Sequence, residues 1–385
     1  MNLHLKLGVK LRMNFDAVVV GGGPSGCFFA ANLARDGWRV GIFEEHREVG
    51  LPWCCAGVVG VGGMRELGLE LRGLVLEELR GAILYSPSGK RVELTRGRAE
   101  AWVIDRPAFD QNVADLALKA GAELHLGKRC RLREGLEVGG RSVGGKVIVG
   151  ADGPLSPVAR ASGLFGRRRF LRFAQVEARV ETDEGFAELY LGREVAPGFF
   201  GWVVPAGERA RVGVGTWENP LPFLRSLLRR LGGRVRGRIP RPSLDVLPAS
   251  RSERMVRGNI LLVGDAAGQV KPLTKGGLYM GLSCSKLAAQ VASKHLERGV
   301  PLTEYEREVE RRFGEEFRLG GLAFSLFSKM GNRGLEFSLA ILGRWLREGV
   351  LAEADFDHHS RLLKRLPLLP LRRPRFGRET DDFSP

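Results

Sequence analysis

Four glycines in Gly21-Gly22-Gly23-Pro24-Ser25-Gly26 lie between an apolar run and a helical pattern, a setting that suits them to holding phosphate. The run Phe15-Asp16-Ala17-Val18-Val19-Val20 reads as a buried parallel strand. Ala30, Ala31, Leu33 and Ala34 then recur at helical spacing, and Gly37 ends that helix. Val40-Gly41-Ile42-Phe43 makes a second strand that closes on Glu44. In such a unit Gly21 permits the tight turn, Gly23 lets the backbone approach a pyrophosphate, and Gly26 lets helix and strand pack closely. The helix start, with Pro24 and Ser25, presents free N–H groups and a partial positive charge to the phosphates. Glu44, 18 residues beyond Gly26, stands where an acid accepts hydrogen bonds from ribose hydroxyls.

Two later strands bear on which dinucleotide binds. Lys146-Val147-Ile148-Val149-Gly150 runs into Ala151-Asp152-Gly153, and Asn259–Val263 runs into Gly264-Asp265-Ala266-Ala267. In these segments the chain resembles the aromatic-hydroxylase-like flavoprotein superfamily. The resemblance implies FAD as cofactor, with Asp265 on its ribityl chain and Gly276, Gly277 and Leu278 against the pyrophosphate and isoalloxazine. It also implies that Arg106, opening a helix over 107–120, contacts the cofactor and that backbone near Cys130 lies beside the adenine. Asp152 fits either support of a pyrophosphate or a plain turn. Residues 259–298 would then rejoin the sheet begun at residue 15.

Two further segments narrow the family. The loop from Glu44 to Gly57, containing Trp53-Cys54-Cys55-Ala56-Gly57, resembles the cysteine loop of geranylgeranyl reductases. Phe200-Gly201-Trp202-Val203-Val204-Pro205, with Gly213 eight residues on, resembles their substrate-domain motif, although Phe200 and Val204 replace its tyrosine and second aromatic. Lys275 stands where that family usually has glycine, and a lysine there could steady a flavin anion or a substrate phosphate.

The resemblance implies a reductase that saturates isoprenoid chains of lipids by hydride delivery from reduced flavin, with a proton reaching the other carbon. Cys55, placed by the resemblance near the flavin's reactive face, is the candidate donor; backbone contact from Cys55, Ala56 and Gly57 to FAD is the alternative. Cys54 reads as packing. Tyr190, Phe199, Phe200, Trp202 and Trp217 could line an apolar slot together with Pro205, or could simply be core. A flavin monooxygenase or halogenase of the same fold, and a non-catalytic prenyl-binding protein, remain as rival readings. The electron donor is open between NAD(P)H and a ferredoxin-like protein.

The elements that must position these groups follow from pattern and length. The chain of 385 residues is expected to form an α/β FAD-binding domain over 14–165, with a β-hairpin insertion near 76–104. An antiparallel-sheet substrate domain over 166–256 follows, where runs such as Phe173–Val180 alternate polar and apolar residues. Residues 257–300 return to the FAD domain, and 301–385 form a helical region with a basic tail. Five cysteines at irregular spacing argue against a disulfide framework or a metal site. They fit a reducing cytoplasm. The net charge of +16 suits an anionic partner or merely an arginine-rich composition, and no nucleic-acid motif accompanies it. Leucines, prolines and bases beyond Ser360 are compatible with peripheral contact to an anionic membrane at its inner face, with a segment packed on the body, or with a disordered tail. Met13 is an alternative start, which would make residues 1–12 an added arm.

Overall fold

A computed structural model describes residues 13–349 and 355–364. The arm before Met13 and the basic tail from 365 onward, both singled out in the sequence, lie outside the described residues.

Apolar β-branched runs pair first. Met13–Val20 lies between Val40–Phe43 and Arg141–Gly150, all parallel, and Ile260–Leu262 and Glu123–His125 extend the sheet on either side. Ala17, Val18, Val19, Val147 and Val149 are fully buried, as a sheet covered on both faces requires. The register sets Val20 beside both Phe43 and Gly150, and Gly150 beside Leu262. Four strand ends thereby finish at one edge, where open α/β sheets bind ligands. The helix Pro24–Arg35 covers this sheet and packs against Arg106–Lys119 and Leu278–Arg298.

The second sheet is mainly antiparallel and holds Phe170–Val180, Phe186–Tyr190, Gly201–Ala206, Arg209–Thr216 and Ser243–Pro248. Within 76–104, Gly81–Tyr85 and Arg91–Thr95 pair as an antiparallel hairpin. It extends this second sheet, because Gly81–Tyr85 pairs in parallel with Phe186–Tyr190. Glu304–Phe327 and Asn332–Arg347 are the expected C-terminal helices. None of the helices, among the described residues, is long and apolar enough to cross a membrane.

Arg211, on the strand Arg209–Thr216, ties the second sheet to the backbone of the cysteine loop and of the strand Ala101–Ile104. Its side chain is 2% exposed, and its Nη1 donates to the carbonyls of Ala56 and Ile104, each at 3.0 Å. Nε donates to Glu177 at 3.3 Å, and the guanidinium lies over the Trp53 ring. Gly57 is left-handed at φ 71°, and a Cβ there would lie 2.0 Å from Arg211 Nη1. The substitution Arg211→Met should cost about 2–4 kcal/mol, since two buried carbonyls lose their donor. Chemical denaturation of this variant checks that figure, and a loss below about 0.5 kcal/mol would contradict the role.

Candidate functional site

The glycine turn is shaped by close contacts on one side and open space on the other. Gly21 has φ 106°, and a Cβ there would lie 2.3 Å from the Ala151 carbonyl oxygen. A Cβ on Gly26 would fall 2.2 Å from Gly21 O and 3.1 Å from Val19 Cγ1, so helix and strand meet as the spacing predicts. At Gly23 a Cβ would meet no protein atom within 4 Å. No side chain caps the helix begun at Pro24, which leaves its first amides to an outside acceptor. Glu44 braces the turn: Oε2 accepts from Gly22 N–H at 2.7 Å, and Oε1 accepts from His46 N–H at 2.8 Å. A carboxylate has about four acceptor sites, so capacity remains for hydroxyls.

A second turn packs onto this one. Gly264–Ala267 form one 3₁₀ turn carrying Asp265, and a Cβ on Gly264 would lie 2.5 Å from Ser25 Oγ. Gly281, on the helix beginning at Leu278, would likewise place a Cβ 2.6 Å from Ser25 Oγ. Gln269, fully buried, receives Gly264 N–H at 2.8 Å and donates to Tyr305 at 2.5 Å. A Cβ on Gly277 would approach Asp265 Oδ1 to 3.1 Å. The helix after Gly277 also begins with no side-chain cap. Two uncapped helix starts therefore lie close together around Ser25, which fits an extended, phosphate-bearing cofactor.

Charges gather at the inner end. Arg106 makes a bidentate pair with Asp110, one helical turn on, with both contacts at 3.2 Å. Burial alone would ease the proton off Arg106, but the Cys55 thiol and Asp110 beside it raise its pKa instead. Asp265 is pushed up to about 6 by burial, against the pull of Arg106. Asp245, which the sequence did not single out, is also raised to about 6 by burial, with Asp265 adding to the shift. Cys54 is raised to about 12 by burial, as is Cys130, where the charges of Asp152 and Glu44 add. Cys130 opens the strand Cys130–Leu132. Asp152 serves a turn: it accepts from Val158 N–H at 2.9 Å and from the Ser156 hydroxyl.

The cysteine loop faces the second sheet through one chain of hydrogen bonds. Trp202 Nε1 donates to Gln175 Oε1 at 3.2 Å, and Gln175 Nε2 donates to the Cys55 carbonyl at 3.0 Å. Cys55 Sγ itself accepts from Gly57 N–H at 3.3 Å. Trp202 packs with Phe173, Phe199 and Phe200, and Phe324 joins them from the helix Glu304–Phe327. Gly213 is required there, since its Cβ would lie 2.2 Å from Trp202 Cζ2. Two expected pocket residues are not in this group. Strand alternation puts Trp202 and Val204 on one face, so Pro205 shares the other with Val203. Tyr190 belongs to that other cluster too, stacked on Tyr85. Trp217 does pack at the pocket side, tilted against Phe324.

The ionised form of Asp265 is disfavoured by the fold. Its folded pKa lies above the usual 3.8, so its contribution is full below pH 4 and is lost as pH rises through about 6. The variant Asp265→Asn mimics the protonated form. Without cofactor it should be about 1–3 kcal/mol more stable than the parent at pH 8, with the difference vanishing near pH 4. Thermal melts across that range check the sign.

Residues 19–56 match the family model of the NAD(P)-binding Rossmann-like domain. Over 360 residues the chain is 32% identical to the digeranylgeranylglycerophospholipid reductase of Methanocaldococcus jannaschii, covering 86% of this chain and 91% of the relative. A second such reductase, from Methanopyrus kandleri, is 32% identical over 366 residues, 86% of this chain and 91% of its own. Among solved structures, the geranylgeranyl bacteriochlorophyll reductase-like protein of Thermoplasma acidophilum superposes with a TM-score of 0.82 at 25% identity, covering 93% of this chain and all of that one. A flavin-dependent brominase, at 18% identity and a TM-score of 0.69, shares the fold. With glycine turn, second turn and cysteine loop in place on a backbone of this kind, the chain belongs to the geranylgeranyl reductase family of FAD-dependent oxidoreductases.

Proposed function

We propose that this enzyme saturates double bonds in geranylgeranyl chains of lipids or lipid precursors, using FAD as its cofactor. Bound FAD, once reduced, supplies the hydride for the alkene carbon. The observation that carries this reading is the link Trp202–Gln175–Cys55, which holds an aromatic cluster directly against the cysteine loop. Apolar rings suit a hydrocarbon chain, and they exclude water from the reacting carbons.

The chain's own residues divide the work. Gly21, Gly23, Pro24, Ser25 and Gly26 hold the pyrophosphate, and Glu44 takes the ribose. Asp265, Arg106, Gly276, Gly277 and Leu278 hold the ribityl and ring end, with backbone from Cys55, Ala56 and Gly57 alongside and Cys130 near the adenine. Trp202 and Phe200 contact the prenyl chain. Cys55, held near Arg106, is the candidate to give the proton to the second carbon. NAD(P)H or a ferredoxin-like protein restores the reduced flavin. Names of relatives support the lipid class, since they are reductases of digeranylgeranylglycerophospholipids. Peripheral contact with an anionic membrane would bring such a substrate within reach.

The decisive test is chemical. Anaerobically reduced protein, given a geranylgeranyl phospholipid, should yield product heavier by two hydrogens per saturated bond in mass spectrometry. Oxygen incorporated under air, with no hydrogen gain, would show a monooxygenase instead. Separately, Glu44→Ala should lower FAD affinity about tenfold, equivalent to ~1.4 kcal/mol; unchanged flavin occupancy after dialysis would refute the ribose role.

A further inference from the structure

Two lysines are buried on the turn that follows Asp265, and the fold treats them differently. Lys271, 4% exposed, has a counter-ion: its Nζ lies 3.1 Å from Asp357 Oδ1 and 4.0 Å from the Phe356 ring centroid. Asp357 in turn accepts from Gly63 N–H at 3.0 Å. Lys275, 3% exposed, has no carboxylate within ion-pair distance among the described residues. Its Nζ donates to the Ala249 carbonyl at 2.8 Å and lies 3.9 Å from the Phe324 ring centroid. Two N–H groups of the ammonium are left after that one hydrogen bond.

Lys275 carries a second cost. Its φ of 61° makes it the one non-glycine with left-handed backbone among the described residues. For an L-residue that conformation costs roughly 1–2 kcal/mol. Glycine would adopt it freely. Burial pulls the pKa of the amine down to about 7. A strained backbone and an uncompensated buried amine on one residue are what a ligand-facing group shows, not a packing one.

Its position says which ligands come near. Lys275 immediately precedes Gly276 and Gly277, and its amine touches Phe324, which meets Phe199 edge-on and Trp217 at a tilt. The ammonium thus sits on the seam between the cofactor turn and the aromatic cluster. We infer that Lys275 is an anion-binding site whose counter-ion is brought by the reactants, as an ionised group of the reduced flavin or a phosphate on the prenyl substrate. Either source offers the same chemistry, a negative charge in a dry site where a lysine attracts it far more strongly than in water. The inference rests on the reading of the two neighbouring surfaces as flavin and prenyl sites.

Two variants test it in the FAD-loaded protein. Lys275→Met keeps the side-chain volume, and Lys275→Gly relieves the left-handed backbone, so a folding defect in the first is controlled by the second. One arm measures the midpoint potential of bound FAD. The other measures binding of geranylgeranyl diphosphate and of neutral geranylgeraniol through quenching of tryptophan fluorescence. A tenfold shift against the reduced flavin in both variants, about 30 mV for a two-electron couple, assigns the counter-ion to the cofactor. A tenfold weaker diphosphate with unchanged geranylgeraniol assigns it to the substrate. No change in either arm, or equal loss for the neutral alcohol, overturns the inference. Should the unaltered protein bind neither prenyl compound, the substrate reading fails while the potential arm still decides Lys275.

Discussion

Everything at the cofactor edge depends on how closely the first glycine turn approaches the end of the neighbouring strand. Gly21 lies against the Ala151 carbonyl with no room for a side chain, and Gly26 lies against Gly21 in turn. Those contacts fix where the helix from Pro24 begins relative to the sheet. Once that helix start is fixed, Ser25 becomes the surface on which Gly264 and Gly281 rest, so the second turn is positioned by the first. Larger residues at these glycines would separate two helix starts that must flank one cleft. The buried strands supply the rigid edge, and the glycines determine how tightly the chain folds back over it.

The second sheet is registered on that edge by polar contacts in an otherwise apolar interface. Arg211 reaches across to two backbone carbonyls, and Gln175 joins Trp202 to the cysteine loop. Buried polar groups specify geometry more sharply than apolar packing, because each misplacement leaves a donor or acceptor unpaired. The result is a cysteine loop whose backbone position is set by the substrate-side sheet while its thiol faces Arg106. The aromatic cluster and the cysteine loop are thereby kept in a fixed relation.

Electrostatically the cleft is built against its own stability. Asp265 and Asp245 are both raised toward 6 by burial, Arg106 is the charge that opposes this, and Lys275 has no carboxylate partner among the described residues. By contrast, Lys271, four residues earlier, has Asp357. Ionisable groups that the fold leaves uncompensated are concentrated where a cofactor and substrate would supply the missing partners. The pair Lys271–Asp357 also pins a segment from the far end of the chain beside the second turn, against Gly63.

The sequence alone determined the first βαβ unit, the acid closing its second strand, the Gly-Asp turn and the family, because each rests on backbone conformation or on contacts within about twenty residues. Glycine spacing reports φ directly, and strand or helix period reports which residues are buried. Only the tertiary structure decided which face of a strand packs toward the cysteine loop. Pro205 and Tyr190, which the pattern allows either in the pocket or in the core, lie on the far face, because alternation is visible in sequence while the choice of inner face is set by the opposing layer. Arg211, Gln175, Gln269 and Asp245 gave no local signal either, since their partners stand far along the chain or on another layer of the fold. The departure at Lys275 was legible as a residue, but its meaning was not. It took the fold to show that this residue is buried, left-handed and without a carboxylate partner among the described residues, because burial and charge pairing are properties of the packed chain.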